Sequence, residues 1–191
     1  MSVGWIALAA VVGYLVGSVS PAVLIARARG LDLRTVGSGN PGATNAARAM
    51  GSRVGVVVGL LDVLKGFLPA VVFLPVSVDA ALVGGAAAVL GHVTSPWLRG
   101  RGGRGVATSL GAILAVEPVW GVVVLAVFGI VLGATRWVAG ASIAAAAALV
   151  AVAVVERSSP WQLVWAVFLA VVVELRHVPN VVRRYRARRG S

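Results

Sequence analysis

The chain has 191 residues, 59% of them hydrophobic and only 12% charged, with a mean hydropathy of +0.96. That is more apolar surface than a soluble domain of this size can bury, so the class is an integral membrane protein. The net charge of +11 comes from arginines set between apolar runs, which read as topology signals and anionic-lipid contacts rather than as a nucleic-acid surface. Cysteine is absent, which excludes disulfides and thiolate chemistry.

Residues 3–26 carry no charge and form the first expected span. No basic segment precedes them, so they read as an uncleaved span rather than a signal peptide. Arg27, Arg29, Asp32 and Arg34 follow, then a glycine-rich island over 36–48. The next apolar runs are 54–78, interrupted by Asp62 and Lys65, and 80–98, with a turn expected at Asp79. A basic loop over 99–105 leads into a short run, 105–116. Glu117-Pro118 separates that run from 118–135, and the runs 137–155 and 158–173 complete the set before a basic tail.

With Glu117-Pro118 as a loop there are seven spans, and the arginines fall on one side. That side holds Arg27, Arg29, Arg34, Arg48, Arg53, Arg99, Arg101, Arg104, Arg136, Arg176 and tail residues 183, 184, 186, 188 and 189. The other side holds Asp79, Glu117, Glu156 and one base, Arg157. Joining 105–135 into one helix would put Arg136 and the tail outside, against the positive-inside rule. The expected fold is therefore an all-α membrane protein of seven transmembrane helices in a single domain, 1–191. Its N-terminus is outside, its C-terminus is cytoplasmic, and glycine-rich cytoplasmic loops form the site. Gly84-Gly85-Ala86-Ala87-Ala88 and Ala144–Ala148 suit close helix packing in lipid.

Three glycines within 37–42 let backbone amides approach a ligand closely. Asn40 suits an N-cap and Pro41 a first helical position, so a helix is expected from there to a glycine stop at Gly51. A glycine-rich turn feeding a helix N-terminus is an anion site, and Arg48 adds a full charge. The segment Arg101-Gly102-Gly103-Arg104-Gly105-Val106-Ala107-Thr108 repeats the pattern, with Gly105 opening a span. Two such loops on one membrane side, with Arg48 and Lys65, can hold two phosphate groups.

Asp62 and Lys65 share a helix face and can neutralise each other. Ionisable groups inside a span point to function. Gly66 and Pro69 are expected to loosen the helix beside them. His92, after Gly91, is a candidate base or an interfacial hydrogen-bonder. In Arg176-His177-Val178-Pro179-Asn180, Pro179 is expected to end the last helix and leave His177 and Asn180 to face the site. Ser142 reads as a helix back-bonder. His92 and His177 lack the carboxylate or cysteine cluster of a metal site, and neither metal nor cofactor is expected.

Together these motifs resemble the bacterial acyl-phosphate-dependent glycerol-3-phosphate acyltransferase family (PlsY). Gly37-Ser38-Gly39-Asn40, Gly42-Ala43-Thr44-Asn45 and Arg48 resemble its first motif. Asp62, Lys65-Gly66 and Pro69 resemble the second. Gly91-His92 and 101–108 resemble the third, and Arg176-His177 with Asn180 its C-terminal signature. The resemblance implies transfer of a fatty acyl group from acyl phosphate to the 1-hydroxyl of glycerol 3-phosphate, giving lysophosphatidic acid and phosphate. It implies an enzyme of the bacterial plasma membrane acting at the cytoplasmic face in the first acylation of phospholipid synthesis, with no nucleic acid partner. An acyl-phosphate-forming enzyme is the protein partner it suggests.

By resemblance, Gly37, Ser38, Gly39, Asn40, Gly42, Ala43, Thr44 and Asn45 bind the acyl phosphate. Arg48, Arg101, Arg104, Ser142, His177 and Asn180 surround the glycerol phosphate. Ser38, Asn40, Asp62, Lys65, His92 and Arg104 carry the catalytic assignments. The proton acceptor stays open among His92, Asp62, His177 and a substrate phosphate oxygen, with no dedicated base as the working expectation. Lysines are usual where this chain has Arg101 and Arg104; arginine binds phosphate bidentately but cannot act as a base at neutral pH. Pro41 stands where an aliphatic residue is expected. A phosphate transporter would use the same loops, but the nearly uniform Val, Ala and Leu of the outer halves offers no polar path.

Overall fold

The computed structural model describes residues 3–189, apart from the side chain of residue 188. The chain divides into two compact units, Met1–Glu117 and Pro118–Ser191.

The first unit begins with α1 (Val3–Ser18) and α2 (Pro21–Ala28), which make up the first apolar run. The break between them has a local cause. Pro21 cannot donate into the α1 ladder, and Ser20 caps α2 by accepting a bond from the Val23 amide at 3.4 Å. A polar loop leads to α3 (Ala43–Met50), then α4 (Ser52–Phe73), α5 (Val78–Val93), a 3-10 turn at Pro96–Leu98, and α6 (Val106–Val116).

Small residues set how closely these helices pack. On α1, a side chain at Gly13 would strike the Gly84 carbonyl of α5, and one at Gly17 the Ala88 carbonyl. On α4 and α6, Gly66 meets the Thr108 carbonyl and Gly111 the Val63 carbonyl. Backbone thus lies against backbone where lipid supplies no hydrophobic drive. Gly66 is a packing site rather than a loosening one, and α4 runs through Pro69 without ending.

The second unit consists of α7 (Pro118–Thr135), α8 (Val138–Val155) and α9 (Pro160–Arg189). Ala145 and Ala146 are buried on α8, as the small-residue pattern predicts. Trp120 is buried and its indole Nε1 donates to Glu156 Oε2 at 2.6 Å, tying the start of α7 to the end of α8. Arg184 lies 4.6 Å over the Trp137 ring.

Among the described residues, six helical stretches are long and apolar enough to cross a membrane. The seventh expected span, α6, has 11 residues, a rise of about 16 Å against a hydrocarbon core of about 30 Å. Other boundaries differ from expectation. The helix after the first loop starts at Ala43 with Gly42 as its cap, not at Asn40-Pro41, because Gly42 takes the extended N-cap conformation. Asp79 marks no turn. Ser77 caps α5 by accepting from the Ala80 amide at 3.0 Å, which leaves Asp79 in the first turn, where the helix dipole favours it. Pro179 does not end the last helix: α9 continues through it to Arg189, so the basic tail is helical.

Candidate active site

The first loop is built around Asn45. Its Oδ1 accepts from the Ser38 amide at 2.9 Å, and its Nδ2 donates to the carbonyls of Leu33 at 3.1 Å and Val36 at 2.9 Å. Asn45 is 1% exposed, so within its assigned motif it scaffolds the loop from beneath. Gly37 and Gly39 have φ of 60° and 67°, the left-handed region that other residues reach only under strain. The Asn40 amide donates to Ser38 Oγ at 3.4 Å. Leu33 anchors the loop base by packing with Ala22 and Ala26 of α2, Ala46 of α3 and Val58 of α4. The loop ends at α3, where the Asn45 and Ala46 amides return to the Gly42 carbonyl and those of Ala43 and Thr44 have no intrahelical partner and are available to an anion. Thr44 and Arg48 are exposed on α3, while Pro41 and Gly42 are buried.

The second loop folds back on the end of α5. The Gly102 amide donates to the Val93 carbonyl at 3.2 Å and the Gly103 amide to the His92 carbonyl at 3.0 Å. A side chain at Gly102 would collide with the His92 carbonyl, and one at Gly103 with His92 Nε2. Arg99 (φ 54°) and Gly100 (φ 76°) turn the chain, and Gly105 (φ 83°) caps α6 as expected. Arg101 is exposed and Arg104 half-buried.

The two loops meet at a cavity of about 460 Å³ lined by Asp32, Arg34, Thr35, Gly39, Leu98, Arg99 and Arg101. Asp32 and Arg34 form a bidentate pair, with Nη2 2.7 Å from Oδ2 and Nε 2.9 Å from Oδ1. The Arg34 guanidinium, with its backbone amide at 3.0 Å, lowers the Asp32 carboxyl to about 2. With that pair neutral, the lining's net positive charge comes from Arg99 and Arg101.

Deeper in the unit, Asp62, Lys65 and His92 form a buried cluster. Lys65 Nζ lies 2.9 Å from Asp62 Oδ1, the intrahelical pair that the spacing predicts. The directed bond of Lys65 goes to the Val19 carbonyl at 2.8 Å. This bond ties Lys65 to the break in the first span. His92 Nδ1 lies 3.6 Å from Asp62 Oδ1.

In the second unit, Ser142 Oγ donates to the Val138 carbonyl at 2.9 Å, the expected back-bond. His177 is buried, with Nδ1 2.7 Å from the Val173 carbonyl. A carbonyl only accepts, so Nδ1 carries a proton. Asn180 Oδ1 accepts from Arg183 Nη2 at 2.9 Å. Residues with no assignment from the sequence also hold the first unit. Ser95 Oγ donates to the Ser18 carbonyl at 2.6 Å, and Trp97 Nε1 to Ser18 Oγ at 2.8 Å. Their only signal is a polar residue beside a proline. In α6, Thr108 Oγ1 and Ser109 Oγ are buried without a hydrogen-bond partner.

A sequence profile described as glycerol-3-phosphate acyltransferase matches residues 7–187. The chain belongs to the glycerol-3-phosphate acyltransferase family. It is 42% identical over 175 residues to a glycerol-3-phosphate acyltransferase of Geobacter sulfurreducens, covering 90% of each chain. With that of Geotalea daltonii it shares 40% over 173 residues, 89% of each. The crystal structure of PlsY, an integral membrane glycerol 3-phosphate acyltransferase, in its glycerol 3-phosphate form superposes with a TM-score of 0.92 at 35% identity. That match covers 96% of this chain and 93% of the other. The lysophosphatidic acid form gives 0.88 over the same shares. This acyltransferase is thus an all-helical integral membrane enzyme of the PlsY fold, and membership of the family places it in phospholipid synthesis.

Proposed function

We propose that the enzyme transfers a fatty acyl group from acyl phosphate to the 1-hydroxyl of glycerol 3-phosphate. The observation that carries this reading is the meeting of two glycine-rich loops at one electropositive cavity. The glycerol 3-phosphate and lysophosphatidic acid forms of the PlsY structure give the acceptor and product of this reading. An activated donor fits the chain's own chemistry. Acyl phosphate has a good leaving group, so neither a covalent nucleophile nor a strong acid is required. The acceptor oxygen bonds to the acyl carbon, the carbon–oxygen bond to phosphate breaks, and phosphate leaves with the electron pair. A phosphate oxygen takes the hydroxyl proton, so no side chain serves as a dedicated base.

Two anions must be held together against their repulsion. The amides of Gly37, Ala43 and Thr44 are the donors assigned to the acyl phosphate, while those of Ser38, Gly39 and Asn40 are used inside the loop and hold its turn. Arg48, Arg101 and Arg104 supply positive charge for the glycerol phosphate, and arginine's fixed fork suits a phosphate face. Ser142, His177 and Asn180 keep their assignment to the same substrate by resemblance. The excess of arginine in these loops supports a site at the cytoplasmic face of a bacterial plasma membrane. An acyl-phosphate-forming enzyme is the donor's proposed source.

The test is acyl transfer by detergent-purified enzyme to labelled glycerol 3-phosphate from palmitoyl phosphate, palmitoyl-CoA or an acyl carrier protein thioester. Lysophosphatidic acid from acyl phosphate alone is expected. Product from a thioester overturns the donor.

A further inference from the structure

Breaking the first span at Ser20-Pro21 strands two carbonyls. In an unbroken helix the Val19 carbonyl would accept from the Val23 amide, but that amide is diverted to Ser20 Oγ. The Ser18 carbonyl, one residue earlier, lies at the same gap. Unsatisfied carbonyls at membrane depth are costly, because hydrocarbon offers no donor in place of the lost one. Side chains from distant segments meet both: Lys65 Nζ of α4 donates to the Val19 carbonyl at 2.8 Å, and Ser95 Oγ to the Ser18 carbonyl at 2.6 Å.

The Lys65 ammonium is in turn held by Asp62 at 2.9 Å, and Asp62 lies 3.6 Å from His92 Nδ1 on α5. The other edge of the His92 ring rests on Gly103 so closely that a methyl group there would collide with Nε2. A continuous buried path therefore runs from the α1–α2 break through Lys65, Asp62 and His92 to the second loop. The break aims α2, and α2 carries the first loop through Leu33 packed on Ala22 and Ala26.

We propose that Lys65 is a positioning residue: its ammonium, anchored by Asp62 and capping the Val19 carbonyl, fixes the α1–α2 break and, through His92, the separation of the two loops that line the cavity. This rests on reading that cavity as the transfer site. Lys65 then touches neither substrate. Its loss acts through geometry, where a misplacement of about 1 Å can cost about 10²-fold in rate.

The chain has no cysteine, so nitroxides attached at R34C and R99C, on opposite loops of the cavity, report the separation without background labelling. The double variant D62N/K65M removes both buried charges together and leaves no unpaired carboxylate, so it is the variant expected to fold. In it the inter-loop distance distribution broadens or shifts. In unlabelled protein kcat falls at least about tenfold, and the melting temperature falls with the loss of the Val19 cap. K65R, which keeps a cationic donor, restores the distance and part of kcat. An unchanged distance in D62N/K65M overturns the proposal, whatever happens to activity. If the double variant does not fold, D62N alone decides by the same distance readout, since it releases the ammonium's anchor. If the unlabelled parent acylates nothing from any donor, the reading of the cavity fails, and the distances still decide the strut.

Discussion

Asn45 and Ser38 are joined across the first loop by a single bond of 2.9 Å, in which the Ser38 amide donates to the carboxamide oxygen of Asn45. The same side chain donates to the carbonyls of Leu33 and Val36, so one residue closes the turn that leads into α3. Replacing Asn45 by alanine removes three bonds, each worth about 1 kcal/mol net. N45A should raise the KM for acyl phosphate about tenfold or more and lower the melting temperature. N45D keeps the acceptor but faces two carbonyls with a carboxylate, so it should be worse than N45A in both measurements. A scan of KM and thermal stability across the pair checks the order.

Gly102 and Gly103 separate two kinds of crowding. A side chain at Gly102 meets the His92 backbone, which cannot yield, whereas one at Gly103 meets the His92 ring, which can rotate. G102A should therefore abolish stable expression or folding. G103A should fold and lose activity by displacing the ring from Asp62. Equal thermal stability for the two variants would contradict this.

Arg104 tests what the second loop needs. If the residue works by charge, R104K should keep kcat/KM within about tenfold, the loss being that of bidentate geometry. R104A should lose about 10²-fold or more, chiefly toward glycerol 3-phosphate. Kinetics against rising glycerol 3-phosphate at fixed donor separate the two outcomes.

Much of this was legible in the sequence, and the failures have physical causes. Loop glycines, the Asp62–Lys65 pair, the Glu117-Pro118 break and the Ser142 back-bond all follow from short-range rules, and the structure has each of them. The uncharged run 3–26 reads as one helix because hydropathy does not weigh a serine cap followed by proline. The role of Lys65 depends on a carbonyl 46 residues away, which no local pattern contains. Asn40-Pro41 has good start chemistry, but Asn45 holds the loop turned until Gly42. Pro179 lies inside α9, and its ring is tolerated there, as prolines are within membrane helices.

Asp32 offers a test by pH and charge. Its folded carboxyl titrates at about 2, below the ordinary 3.8. A depressed carboxyl stabilises the pair above about pH 4 and loses that contribution as pH falls toward about 2. The Asp32–Arg34 pair is therefore intact throughout the neutral range. D32N should uncover the Arg34 charge at the cavity, lower the KM for anionic substrate and steepen its dependence on salt. Initial rates from about 20 to 300 mM salt measure this, within the range where the screening length changes severalfold.

The short reach of α6 has a consequence for how the first unit tolerates it. A helix of 11 residues rises about 16 Å, roughly half the hydrocarbon thickness, yet none of its residues is fully exposed. Gly66 and Gly111 seat it backbone to backbone on α4, so neighbouring helices, not lipid, surround it. Protein thus plays the part of solvent for α6: a half-length helix can stop at membrane depth because its neighbours supply the wall that its own length does not.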